Sequence, residues 1–263
     1  MEVLMKKSIT LFTTLIFSVF LGFADQSIEL LSSEYQPFSG EKGNTMWCDI
    51  VNSALAKEGT TVTWKTYPIE RIKDLVATGA NAAFLAGTLV VKDEEKSSFL
   101  MNADPMIYLS VVAFYPEEKY PSGLGIKDAA DLKGKIVGVI QGTGSAAVLQ
   151  KANVQIDPAT DAGMLVSKLI VGRYDVALVG DLVGLNSLRE LYPDKAGNYK
   201  YDMVYTSPID LIFSKKFPGS AEIKAKYNSG IAKIKADGTF MKILKKYYPK
   251  GNVNKSILPK GLQ

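Results

Sequence analysis

The chain has 263 residues, with 31 basic and 27 acidic side chains, one cysteine and no histidine. Without histidine, serine and cysteine triads, imidazole acid–base chemistry and His-ligated zinc are all excluded. The net charge of +4 is spread along the sequence without a basic block, so nothing favours nucleic acid as a partner; Lys242, Lys245, Lys246 and Lys250 read as a solvated helix face and tail.

The first two dozen residues read as an export signal. Lys6 and Lys7 give a basic start, an uncharged run covers 8–21, and Gly22-Phe23-Ala24 puts small residues where signal peptidase reads. The run is too short, and too interrupted by threonine, to span ~30 Å of hydrocarbon. The expectation is a signal peptide over 1–24, cleaved after Ala24, with Asp25 as the first mature residue. Met5 is an alternative start, since Lys6-Lys7 would then follow it directly. Cleavage leaves 239 residues and, without Glu2, Lys6 and Lys7, takes the net charge from +4 to +3. That length suits one large domain or two small lobes. Cys48 is the lone cysteine, so there is no internal disulfide despite export. It lies in an apolar helical pattern and reads as a small buried side chain. No cysteine follows the apolar run to carry a lipid. A freely diffusing periplasmic protein, not membrane-embedded after cleavage and monomeric, is expected.

Strand and helix signals then alternate. Residues 28–32 form a short apolar run, followed by the polar loop Glu34-Tyr35-Gln36-Pro37-Phe38-Ser39-Gly40. Asn44 can cap a helix whose Trp47, Ile50, Val51, Ala54 and Leu55 share a face, with Gly59 as its stop. Residues 61–66 alternate, with Val62 and Trp64 on one side. Pro68 sits where a first helical turn tolerates it, and Ile69, Ile72, Leu75 and Val76 mark the next amphipathic helix. Residues 82–86 are continuously apolar, as in a strand buried on both faces. This βαβαβ order predicts a parallel sheet. After an extended segment near 106–115, a second set begins with a strand over 136–140, the glycine-rich turn Gln141-Gly142-Thr143-Gly144-Ser145 and a helix through Gln150. A helix over 165–170, a strand over 174–179 and a helix over 181–191 follow. A strand over 208–214 and helices over 221–235 and 239–248 close the chain. Two α/β units joined by extended segments near 106–115 and 203–213 predict two lobes and a double hinge. Lobe one takes 25–109, lobe two 110–205, and 206–263 returns to lobe one.

These motifs resemble the extracellular solute-binding proteins of ABC importers, the polar amino-acid type (family 3). Tyr35-x-Pro37-Phe38, Gly79 with Ala82-Ala83-Phe84, and Gly134-Lys135-x-Val137-Gly138-Val139-x-x-Gly142-Thr143 carry the likeness. Gly172-Arg173-Tyr174-Asp175-Val176-Ala177 and the stretch 231–239 leading to Tyr247-Tyr248 complete it. Together they cover the expected mature chain. The resemblance implies an α/β, two-lobed type II periplasmic-binding-protein fold, each lobe a mainly parallel sheet flanked by helices. It also implies a ligand held between the lobes and no cofactor, metal or catalytic residue.

Open parallel sheets bind ligands beyond the carboxyl ends of their strands. This points to Glu34, Tyr35, Phe38, Tyr67, Arg71, Gly87 and Thr88 in lobe one, and to Gln141, Gly142, Thr143, Gly144, Ser145 and Asp181 in lobe two. Tyr35 and Phe38 either stack on the ligand or cover the edge of the core. The 141–145 turn opens a helix, so free N–H groups and hydroxyls face whatever binds there; it lacks the spacing of a nucleotide-binding loop.

Two departures from the family stand out. The arginine that such proteins use for an α-carboxylate, a bidentate clamp, falls at or near Glu94. The chain has only Arg71, Arg173 and Arg189. Either Arg71 or Lys92 replaces it, or the ligand is not an ordinary α-amino acid. The family's ammonium-binding aspartate matches Gly180, with Asp181 one residue late, either in the cleft or as a helix N-cap. The expected function is capture of a small polar ligand, an amino acid or related molecule, for an inner-membrane ABC permease. A sensory role at a membrane receptor is the alternative. A lyase using Glu34, Glu94 and Asp181 is a third reading.

Overall fold

The computed structural model describes residues 26–263, so the expected signal peptide and its cleavage after Ala24 lie outside the described residues. Among the described residues no helix is long and apolar enough to cross a membrane. The chain runs β1 (Gln26–Ser32), α1 (Met46–Ala56), β2 (Thr60–Thr66), α2 (Ile69–Thr78), β3 (Ala83–Gly87), β4 (Phe99–Leu100) and β5 (Ile107–Pro116). It continues with β6 (Val137–Ile140), α3 (Gly144–Lys151), β7 (Ile156–Ala159), α4 (Ala162–Ile170), β8 (Val176–Gly180) and α5 (Asp181–Leu191). The long strand β9 (Tyr199–Ser214) and helices α6 (Ser220–Ala236) and α7 (Thr239–Tyr247) follow.

Two parallel trios flank an antiparallel centre. β2, β1 and β3 are mutually parallel in lobe one, and β7, β6 and β8 in lobe two. β9 pairs antiparallel with β3 on one side and with β5 on the other, and β5 pairs antiparallel with β8. The described strands thus form one sheet in the order β2-β1-β3-β9-β5-β8-β6-β7, with β4 added to β9. The two extended segments expected as hinges are neighbouring strands, paired from Ile107↔Ile209 to Pro116↔Tyr199. Their register slips between Val111 and Val112, which face Tyr205 and Met203, so Val204 bulges out at the crossing.

Local chemistry explains the elements around the crossing. Ala83, Phe84, Leu85 and Ala86 of β3 are all buried, as a strand covered on both faces requires. α2 starts after Pro68 and ends at Gly79, whose φ of 85° is the left-handed cap that glycine adopts without strain. α1 departs from expectation at its start: Thr45, not Asn44, holds the N-cap, and its side chain makes no capping bond. Burial of Met46, Trp47, Ile50, Val51, Ala54 and Leu55 stabilises this helix instead. Cys48 is fully buried among them, and burial pushes its thiol up to about 11.

α1 and α6 touch backbone to backbone at Gly230, where a Cβ would lie 2.0 Å from the Ala54 carbonyl oxygen. Neither helix can yield locally, so Gly230→Ala is expected to lower stability by about 3 kcal/mol. Urea unfolding will read this as a lower midpoint at unchanged m-value.

Candidate functional site

A cavity of about 700 Å³ lies between the lobes. From lobe one the carboxyl end of β1 supplies Ser33, Glu34, Tyr35 and Ser39, that of β2 supplies Thr66 to Glu70, and that of β3 leads to Gly87, Leu89 and Val90. Lobe two contributes Ile140 and the 141–145 turn after β6, and Thr160 after β7. The central strands add Leu109, Val111, Tyr205, Ser207 and Ile209. Strand ends converge here because both parallel trios point their carboxyl ends at the crossing.

The lobes touch across this space. The buried Gly180 N–H donates to the Tyr35 hydroxyl at 3.2 Å. A Cβ on Gly180 would meet Leu109 at 3.0 Å, the Tyr35 hydroxyl at 3.0 Å and Phe38 at 3.2 Å, so a side chain there would have to push these neighbours back. On other edges Ile69 comes within 3.5 Å of a Cβ built on Gly142, and Leu89 within 3.4 Å of one on Gly144. The Tyr205 hydroxyl donates to Ser145 Oγ at 3.1 Å, tying β9 to the start of α3. Burial raises the pKa of both Tyr35 and Tyr205, so both are neutral phenols at neutral pH.

Of the residues expected at the ligand, Glu34, Tyr35, Tyr67, Gly87, Gln141, Gly142, Thr143, Gly144 and Ser145 line the cavity. Four others lie off its wall. Phe38 is 1% exposed and stacked on Trp47 with centroids 4.7 Å apart, the core-covering alternative. Thr88 opens a short 3₁₀ turn, and its neighbours Gly87 and Leu89 line the cavity instead. Arg71 is exposed, its guanidinium 4.5 Å from the Tyr67 ring centroid. Asp181 takes neither expected place: Gly180 holds the N-cap of α5, and Asp181, the first residue of the helix and 5% exposed, accepts at Oδ1 from the Leu182 N–H at 2.7 Å and at Oδ2 from the Tyr248 hydroxyl at 3.4 Å.

The wall's charges are sparse and of one sign. Glu34 and Glu70 line the cavity, and no lysine or arginine does among the described residues. Glu34 Oε1 accepts from the Gln36 amide at 2.8 Å and Oε2 from the Glu41 N–H at 3.3 Å. Behind the wall, Lys73 is buried between Glu70 and Glu95, 2.9 Å from each. Burial pulls its pKa down, but these two carboxylates outweigh that and hold it above the usual lysine value. Lys92 and Glu94, where the family arginine was sought, are exposed and off the cavity. Arg173 is taken by Asp157 at 2.8 Å.

Sequence reading missed Trp47, Tyr205 and Ser207; Glu70 lies within the 67–71 segment it placed at a strand end without being singled out. Tyr205, Ser207 and Ile209 alternate along β9, a period-2 signal that a full strand assignment would have exposed. Trp47 was counted as core, and at 3% exposure it is nearly so, yet it lines the cavity and its indole N–H has no partner.

No family model matches the chain, and no curated protein does. Solved structures match over nearly their whole length. An ancestral arginine-binding protein bound to arginine superposes with a TM-score of 0.67 at 23% identity, over 85% of this chain and 98% of that one. A histidine kinase sensor domain with similarity to periplasmic binding proteins gives 0.69 at 15% identity, over 88% and 97%. An ancestral amino acid-binding protein described as a precursor of cyclohexadienyl dehydratase gives 0.64 at 22% identity, over 85% and 95%. At these identities the likeness establishes the fold: this chain has the two-lobed type II periplasmic-binding architecture.

Burial lifts the Asp181 carboxyl from 3.8 to about 6. A pKa raised on folding means that the native state binds more protons than the unfolded chain between those values. The carboxyl's contribution is therefore favourable at low pH and lost as pH rises from about 4 through 6. Asparagine keeps the Leu182 acceptor and turns the Tyr248 contact into a donor–acceptor pair of the opposite sense. Asp181→Asn should therefore gain on the wild type by up to about 3 kcal/mol between pH 4 and pH 7, read from urea unfolding at both pH values.

Proposed function

We propose that the chain is a periplasmic solute-binding protein that closes on a small polar solute and presents it to the permease of an ABC importer. The observation that carries this is the cavity shared by both lobes, bridged by the Tyr35–Gly180 hydrogen bond. A solute that touches both walls only when the lobes are together shifts the open–closed equilibrium toward closed. The β5–β9 crossing, with its bulge at Val204, is the proposed hinge between 25–109 and 110–205, with 206–263 returning to the first lobe. The nine expected residues on the wall are the proposed contacts, joined by Trp47, Tyr205 and Ser207. The arginine-bound ancestral protein, aligned over 98% of its length, supports an amino acid or related small molecule as the solute class. Export after Ala24 and a monomeric state belong to the same proposal.

The sensor-domain likeness favours a second reading, in which the closed form reports to a membrane receptor. The two differ in what the closed form meets, not in how it closes. A lyase finds less support: of the three carboxylates considered for it, only Glu34 lines the cavity.

Thermal-shift screening of amino acids and small organic ions, followed by X-ray scattering, tests the proposal. A solute at about a hundred times its Kd adds about 2.7 kcal/mol, a rise of roughly 5–10 °C for a chain of this size. Its binding should also shrink the radius of gyration. A flat screen together with a rigid scattering profile would overturn the proposal. Tyr35→Phe leaves the Gly180 N–H without its acceptor in the closed form, at a cost of about 1 kcal/mol. Isothermal titration should read this as about fivefold weaker binding.

A further inference from the structure

We infer that the cleft recognises its solute through a cationic nitrogen, an organic ammonium group, and that a carboxylate on the solute is dispensable. The inference rests on the proposed binding role and concerns the chemistry of the same cavity.

The charge around the cavity carries it. Both ionised side chains on the wall are carboxylates, Glu34 and Glu70. Lys73 does not neutralise them, because it serves Glu70 and Glu95 together and leaves that trio with a net negative charge. Glu34 accepts only from neutral partners, the Gln36 amide and the Glu41 backbone, with no ion pair to a cation among the described residues. The two cations offered as stand-ins for a carboxylate clamp, Arg71 and Lys92, are off the wall, whereas Glu34 and Glu70, though also exposed, border the cavity. A carboxylate closed into this space would face two like charges with no fixed cation to repay its lost hydration.

The rest of the wall suits an ammonium. Tyr35, Trp47 and Tyr205 line it, beside Tyr67 whose ring already carries the Arg71 guanidinium, and aromatic rings attract cations strongly once water is excluded. On the lobe-two side, the start of α3 offers backbone N–H groups with a partial positive charge of about half a unit. The unpartnered Trp47 indole N–H is a further donor within the same lining. These donors suit a neutral acceptor, such as a hydroxyl or carbonyl, and fall short of a guanidinium as counter-charge for an anion.

Matched pairs that differ only in the carboxylate give the test. Isothermal titration of the signal-free chain would compare lysine with 1,5-diaminopentane, and ornithine with 1,4-diaminobutane. Each diamine is expected to bind at least as tightly as its amino acid, with affinity falling as salt is raised. Glu34→Gln should weaken the better diamine about tenfold or more while leaving the unfolding midpoint in place. The inference is overturned if losing the carboxylate weakens binding tenfold, or if Glu34→Gln leaves the diamine affinity unchanged. It is also overturned, with the binding role intact, if only neutral or anionic solutes bind. If no solute of any charge binds, the binding role itself fails.

Discussion

The antiparallel pairing of β5 with β9 is the constraint on which the rest depends. Two chains crossing between lobes as loose linkers would leave their backbone groups to water and the lobes free to reorient. Here they satisfy each other's N–H and C=O groups from Ile107↔Ile209 to Pro116↔Tyr199, so the crossing is itself part of the sheet. One end of β9 continues lobe one through β3, and the far side of β5 continues lobe two through β8. Each parallel trio is thereby oriented with its carboxyl ends toward the crossing. The cavity is a consequence of that topology, and its Tyr205, Ser207, Leu109 and Val111 come from the crossing strands themselves.

Close approach at a few positions then fixes what the cavity can be. Gly180 ends β8 where Tyr35, Phe38 and Leu109 crowd the place of a side chain, and its N–H meets the Tyr35 hydroxyl there. That approach also explains why Phe38 is core: it stacks on Trp47 and lets Tyr35 lean over it toward lobe two, with Tyr35 and Phe38 centroids 5.8 Å apart. An aromatic trio built from one loop and one helix face thus ends in a hydroxyl at the other lobe. Packing in lobe one and contact between the lobes are one arrangement.

Elements whose packing is periodic were legible in the sequence, and those set by long-range pairing were not. α1, α2, α5 and the buried strand β3 follow from apolar spacing and from Pro68 and Gly79 at their boundaries. β7 was missed because it is four residues long, contains Pro158 and sits at the sheet edge. Residues 199–202 of β9 were missed because Lys200 and Tyr201 are exposed, so no apolar alternation marks the start of the strand; the stretch from 203 was read as extended. The site divides in the same way. Loops at strand ends were found, whereas Tyr205 and Trp47 required knowing which strand and which helix face meet across the sheet. Asp181 shows the limit of a register argument: one residue's offset turned its carboxylate from the cavity to Leu182 and Tyr248.

The Tyr248 contact has a mechanical consequence. Tyr248 follows α7 and donates to the carboxylate that opens α5, a helix of lobe two. The chain beyond it continues to a turn at Lys255–Ile257 that packs on β5, with Ile257 and Leu258 buried. The C-terminal segment therefore touches both the crossing strand β5 and the start of α5. Twisting or sliding of the paired strands would strip buried side chains from β5. Bending about the bulge at Val204 disturbs the fewest backbone pairs, because the ladder is already interrupted there. The closure proposed above would widen or narrow the cavity between Tyr35 and Gly180.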